Sequence, residues 1–346
     1  MSSLQIGLAI AGGAVLAAVV AHGAWTSRKN QPRQPVQDPR DSGLLAVEPG
    51  LDGSEEPTLD VSRFTLPVAL RKPALDPLID AIANIALEPG SVVSGEAAMA
   101  ALPPTRRVGT KPFAVEGLNA VTGQWEAPAG GQRYSAFQAG VQLANRSGAL
   151  NEIEFSEFVV KTQAFADAIS ATPEFTEMVD EVARAKELDQ FASVHDAQLM
   201  FSIRARNASW SPGYVQQHAA KLGFVPGVMP GRMVIAASTE GLPPVLVLEF
   251  DSQAALAEDL EQSAIRELSL HLDVGQVDRG EQPFERMCEV AIQLSQTMEG
   301  VVTDDNGRPL TQDTLNGIAR DLQGLYSTLE MRDFAAGSAL ARRLFS

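Results

Sequence analysis

The sequence predicts an α+β protein in which two related units follow one N-terminal transmembrane helix. Each unit reads as a ferredoxin-like, split β-α-β antiparallel sheet with helices on one face. Three observations lead there. An uncharged apolar run opens the chain. Hydrophobic periodicity then switches between about two and about 3.6 residues. Finally, the order strand, helix, strand, strand, helix, strand is met twice.

Leu4 to Trp25 reads LQIGLAIAGGAVLAAVVAHGAW, with no acidic or basic residue apart from His22. Roughly 20 apolar residues rising about 1.5 Å each span a bilayer core of about 30 Å. Trp25 closes the run, where an aromatic ring suits the interface. A cleaved signal peptide fits less well: no Lys or Arg precedes the run, the run is too long, and no A-x-A site follows. Arg28, Lys29 and Arg33 all come after it, so the positive-inside rule leaves residues 1–3 in the periplasm. Residues 4–25 then form a single-pass anchor in the cell inner membrane, with the C-terminal body cytoplasmic. Residues 26–76 carry Pro32, Pro35, Pro39, Pro49, Pro57 and Pro67 and no apolar periodicity, and read as a flexible cytoplasmic linker.

The first α+β unit is placed at 77–195. PLIDAIANIAL predicts a strand, Ser94 a cap for the helix EAAMAAL, and FAVEGLNA and AFQAGVQLAN two strands around a Gly-Gly loop. After Asn151 the stripe Ile153, Phe155, Phe158, Val159, Thr162, Phe165, Ala166 and Ile169 predicts a helix. Pro173 interrupts it, and Phe175, Met178, Val179, Val182 and Lys186 resume it. AQLMFSIRAR at 197–206 reads as a strand that closes this unit and opens the next. The second unit, 196–346, continues with a helix capped by Ser211, started by Pro212 and stopped by Gly223. Strands follow around MVIAAS, PVLVLEF and IRELSLHLDV. A helix then carries Phe284, Met287, Cys288, Ala291, Leu294, Ser295 and Met298 on one face. Thr311 caps a last helix with the stripe Leu315, Ile318, Ala319, Leu322, Leu325, Tyr326 and Leu329.

The charge of −16 and pI near 4.7 argue against nucleic acid, which needs clustered Lys and Arg. The single cysteine, Cys288, allows neither an intramolecular disulfide nor a Cys-based zinc site, and reads as a buried structural thiol. His22, His195, His218 and His271 stand far apart, with His218 at a core edge. No nucleophile elbow, phosphate loop, dinucleotide fingerprint or H-E-x-x-H occurs, so the chain is read as a non-enzyme without a cofactor or small-molecule substrate. The loop GVMPGR at 227–232 could hold an anion, but Gly-Pro turns ordinarily just reverse the chain. VVTDDNGRPLTQDTL at 301–315 invites comparison with a calcium loop. Setting Gly307 at the invariant glycine position makes the first ligand Val302, which has no donor oxygen. A tight turn at Asn306-Gly307, with positive φ at both residues, is the plainer reading, and no metal is assigned.

On these residues the chain resembles ZipA, the bacterial division protein whose C-terminal domain binds FtsZ. GVVTDDNGRPLTQDTL between two amphipathic helices, IRELSLHLDV as central strand, and LMFSIRARNASWSPGYVQQHAAKLGFVPG as first strand, helix and turn carry the resemblance. The layout of outside N-terminus, one span, linker and cytoplasmic domain agrees with it. The linker is shorter than the family's, and residues 77–195 are an additional unit. The resemblance implies a membrane-anchored division protein that tethers or stabilises FtsZ filaments at the septum by taking the FtsZ C-terminal tail on an open β-sheet face. Strand alternation puts Met200, Ser202, Val245, Val247, Glu249, Ser269 and His271 on the helix-free face, with Leu199, Phe201 and Ile203 against helices. A membrane-anchored ligand-sensing or scaffold module is the alternative, since such folds host many functions.

The charge asymmetry around residues 4–25 generates a first prediction. A reporter active only in the periplasm, fused after Ser346, should be inactive, and an active fusion would reverse the topology.

Overall fold

The computed structural model describes residues 32–34, 75–257 and 263–346. The expected span at 4–25 and most of the linker at 26–76 lie outside them. No helix among the described residues is long and apolar enough to cross a membrane. The body is α+β with antiparallel sheets, and it divides into two compact units. Residues 75–196 with 339–346 make the N-terminal unit; residues 197–338 with 32–34 make the C-terminal one.

The N-terminal unit contains β1 (Asp80–Ala86), β2 (Val93–Ser94), α1 (Gly95–Ala101), β3 (Arg107–Val108), β4 (Lys111–Asn119), β5 (Trp125–Glu126) and β6 (Arg133–Gln142). A small hairpin, β7 (Ala144–Asn145) and β8 (Gly148–Ala149), precedes α2 (Glu152–Ala168), β9 (Thr172–Glu174) and α3 (Met178–His195). The main path of the sheet runs β3-β4-β6-β1-β9. Counting β1, β4, β6 and β9 as strands one to four, the order is 4-1-3-2, that of a split β-α-β sheet. Ser94 caps α1 by accepting from the Ala97 amide at 3.2 Å, and Asn151 with Glu154 closes a capping box on α2.

Alternation sends Ala81, Ala83 and Ile85, Phe113 and Val115, and Phe137, Ala139 and Val141 to one face, where they are buried. The Phe158 ring from α2 meets the rings of Phe113, Phe155 and Phe175 at 5.7–6.1 Å. Part of the opposite face is covered by the unit's own residues. Leu75 lies over Gly140, and its amide donates to the Glu116 carboxylate at 3.2 Å. Arg343, from α8 (Ala339–Leu344), forms an ion pair with Asp80, and its carbonyl accepts from Gln142 Nε2 at 2.8 Å. Burial raises the Asp80 carboxyl above its ordinary value, and Arg343 opposes that shift.

Several expectations are corrected here. The fourth strand of this unit is β9, and the strand at 197–206 belongs to the C-terminal unit alone. Pro173 pairs with Ile85 on an edge, where a residue without an N–H is tolerated. Ile153 and Val179 are exposed; α3 instead buries Val182, Ala185, Leu188 and Ala192. The last residues, 339–346, also join the N-terminal unit rather than the one that precedes them in sequence.

The C-terminal unit contains β10 (Gln198–Ala205), α4 (Pro212–Ala220), β11 (Val225–Pro226), β12 (Arg232–Ile235), β13 (Leu246–Glu249), α5 (Ser252–Ala255), β14 (Glu267–Asp273), α6 (Pro283–Thr297), β15 (Gly300–Thr303) and α7 (Gln312–Met331). Sheet order is β11-β12-β13-β14-β10-β15. The path β15-β10-β14-β13 repeats the 4-1-3-2 order, with β12 and β11 added at the edge. The caps read from the sequence hold: Ser211 accepts from the Tyr214 amide and Thr311 from the Thr314 amide, both at 3.2 Å. Gly223 ends α4 at φ 89°. Phe201, Ile203, Met233, Ile235, Leu246, Leu248, Leu268, Leu270 and Leu272 fill the helix-covered face with Phe284, Met287 and Leu294 of α6.

The 301–315 stretch is β15, a turn and the start of α7. The Gly307 amide donates to the Asp304 carbonyl at 3.0 Å, and the Asp304 amide donates to the Arg308 carbonyl at 2.9 Å. Positive φ is confined to Gly307 (77°), so the turn is a type I turn followed by a left-handed residue. Asn306 does not share the positive φ expected of it. A Cβ at Gly307 would lie 2.6 Å from Arg204 Nη1. Gly307→Ala should therefore cost about 1 kcal/mol or more, from backbone strain and the displaced guanidinium. An unchanged melting temperature would contradict this account of the turn.

Candidate functional site

The register of three strands builds the helix-free face of the C-terminal unit. Met200 pairs with His271 and His271 with Val247; Ser202 pairs with Ser269 and Ser269 with Glu249. The same pairing carries on to Val234 and Arg232 on β12. Six of the seven candidate residues therefore lie in two adjoining cross-strand rows, and Val245 extends the Val247–Glu249 side of β13.

Sharing a face does not make them equally accessible. Met200 is 38% exposed, and Val247, Glu249, Ser269 and His271 are half-buried. Ser202 and Val245 are 2% and 1% exposed. Ser202 faces Thr303 across β15, at the end of the face where the 304–308 turn reaches Arg204. Val245 lies at the foot of a groove of about 320 Å³ that Pro243 and Pro244 also line. Both departures have one cause: alternation assigns a residue to a face, whereas loops decide which part of that face stays open.

The groove is also lined by Val247, Glu249 and His271, and by Arg232, Gln198 and Asp273, which the alternation argument had not singled out. Arg232 and Val234 could have been found from the MVIAAS strand, where they alternate with buried Met233 and Ile235. The two prolines carry no periodic signal. Glu249 stands between Arg232 Nε at 3.6 Å and His271 Nε2 at 3.7 Å. Arg204 meets Glu267 at 3.2 Å. Such exposed pairs contribute at most about 1 kcal/mol each. They set polar groups around an apolar strip of Val247 and Val234, which His271 separates from Met200 in the same row.

Reactive side chains are placed elsewhere. His218 Nδ1 sits 2.9 Å from the Tyr214 carbonyl with its ring on the Tyr214 ring, an arrangement internal to α4. Cys288 is half-buried in a hollow between α6, β15 and α7, lined also by Ile292, Val302 and Leu315. Burial, aided by Glu285 and Glu289, pushes its thiol up to about 11. Among the described residues no group of three or more His, Cys, Asp or Glu is placed to hold a metal ion. Asp304 spends its carboxylate on the Arg308 amide at 2.7 Å.

An antiparallel sheet with helices on one side and a groove on the other offers a surface on which an extended peptide can lie. The family whose model is described as ZipA, C-terminal FtsZ-binding domain, matches residues 247–321. That span runs from β13 through β14, α6 and β15 into α7, and includes four of the candidate residues. No curated protein matches the chain. Residues 247–321 of the C-terminal unit are thus similar to the FtsZ-binding domain of ZipA, in line with the resemblance carried by the sequence.

The raised thiol yields a check on this packing. Iodoacetamide should modify Cys288 at pH 8 at least about tenfold more slowly than free cysteine, whose thiol titrates near 8.5. The rate should climb about tenfold per pH unit up to pH 10, in step with the thiolate fraction. Modification as fast as in free cysteine would refute this half-buried placement, which is more open than the buried thiol expected from the sequence.

Proposed function

We propose that this chain is a membrane-anchored cell-division protein that tethers FtsZ filaments by binding the FtsZ C-terminal tail on the open sheet face of its C-terminal unit. The match of residues 247–321 to the FtsZ-binding family is the observation that carries the reading. The groove beside Val247 and His271 supplies a surface of the required kind. Residues 4–25 are the anchor in this reading, in the inner membrane, with both units in the cytoplasm. The chain acts by binding and has no catalytic role.

Recognition lays a short amphipathic peptide across the strip, its apolar side chains against Met200, Val247 and Val234. Burial of apolar area supplies roughly 25 cal/mol per Å², before the cost of ordering a disordered tail is subtracted. The balance falls near the micromolar range, about −8 kcal/mol. Basic residues on the peptide meet Glu249 and Asp273 in the groove lining, so affinity weakens modestly with salt.

A fluorescent FtsZ tail peptide titrated against the detergent-solubilised chain should show binding by anisotropy. Val247→Glu should weaken it at least about tenfold, because a carboxylate would have to be desolvated within the contact. Circular dichroism must confirm that the variant remains folded. Equal binding by wild type and Val247→Glu would rule out this face, and no binding by either would rule out the tether.

A further inference from the structure

Residues 32–34 are separated by more than 160 positions from the C-terminal unit, yet they pair with it. Arg33 forms a parallel bridge with Trp210: its amide donates to the Ser209 carbonyl at 2.8 Å, and its carbonyl accepts from the Ser211 amide at 3.0 Å. On its other side Trp210 exchanges two backbone hydrogen bonds with Ile265, both 2.8 Å. Arg33 is thus the outer member of a three-strand patch. The middle of the patch is rigid. Trp210 is fully buried and its Nε1 donates to the Met298 carbonyl at 2.8 Å, while Ser211 caps α4.

The side chain adds a second attachment. The Arg33 guanidinium pairs with the Glu299 carboxylate. Hydrogen bonds that the guanidinium donates to Tyr214 and Glu299 raise it above its ordinary value. Glu299 stands between α6 and β15 at φ 54°, where glycine would be free of strain. The residue found there instead brings the carboxylate that meets Arg33.

We infer that the C-terminal unit carries a receptor site for an extended arginine-bearing segment, built from the Ser209–Ser211 backbone and Glu299, and that Pro32-Arg33-Gln34 of the same chain occupies it. The 26–76 segment is then divided functionally at Arg33. One consequence rests on the membrane reading above. Arg33 is the eighth residue after Trp25, and eight residues reach at most about 28 Å. The docked arm therefore keeps the binding unit on a short leash. The N-terminal unit becomes an insertion between the arm and the rest of the unit it completes, rather than a spacer from the membrane.

Hydrogen exchange on the full chain in detergent tests the docking. The Arg33 amide should exchange at least about tenfold more slowly than in a free peptide of residues 26–40. Arg33→Glu should bring it close to the peptide rate while β14 amides stay protected, and Arg33→Glu with Glu299→Arg should restore protection. Wild-type exchange at the free-peptide rate would overturn the inference. Full protection surviving in Arg33→Glu would overturn the role given to Glu299. Because exchange is read in detergent, its outcome is independent of the topology that the reporter fusion tests and of tail binding.

Discussion

The C-terminal unit depends on the antiparallel register of β10 against β14, seven pairs from Gln198–Asp273 to Arg204–Glu267. The side-chain period of a strand is two, so this register fixes both faces at once. Phe201, Ile203, Leu268, Leu270 and Leu272 go to the helices, and Met200 and His271 go to the open side. A slip by one residue would bury Ser269 and His271 under α6 and expose three leucines. Burying those apolar side chains is worth about 1.5–3 kcal/mol each, so the pairing is strongly specified. The groove that Val247 and His271 line follows from that specification.

Two units with the same 4-1-3-2 strand order put the corresponding face to different uses. In the N-terminal unit Leu75 fills the space over Gly140, and Arg343 neutralises Asp80 where burial would otherwise penalise its charge. These contacts come from the two ends of that unit's described chain. Among the described residues of the C-terminal unit, a groove of about 320 Å³ stays open beside Val247 and His271. A repeated topology therefore does not give the two units the same surface: Leu75 and Arg343 cover part of this face in one, and a groove opens on it in the other. The unit with this groove also contains residues 247–321, which match the FtsZ-binding family.

The polar groups on the open face temper its acidity. Glu249 is shared between Arg232 and His271, and Glu267 is matched by Arg204. The overall charge of −16 thus overstates how negative this surface is locally.

Local chemistry made much of this legible in the sequence. Ser94, Ser211 with Pro212, and Thr311 announce helix starts because a side-chain oxygen or a fixed φ acts within one turn of chain. The α6 and α7 stripes and the alternation of β10, β13 and β14 are visible because burial on one face imposes a period. The Asp304–Arg308 turn is visible because Gly307 can adopt positive φ without strain. The remainder was decided by contacts between distant residues, which leave no periodic trace. Strand β9 exists because β1 offers a free edge to Thr172–Glu174, and Pro173 alone suggests only a break. Ser202 and Val245 are covered because a turn and a proline loop fold beside them, although alternation treats them like Met200 and Val247. Residues 339–346 and Arg33 find their partners more than 160 positions away. A sequence determines what each segment can pair with; the closed fold determines which of those pairings excludes water and is kept.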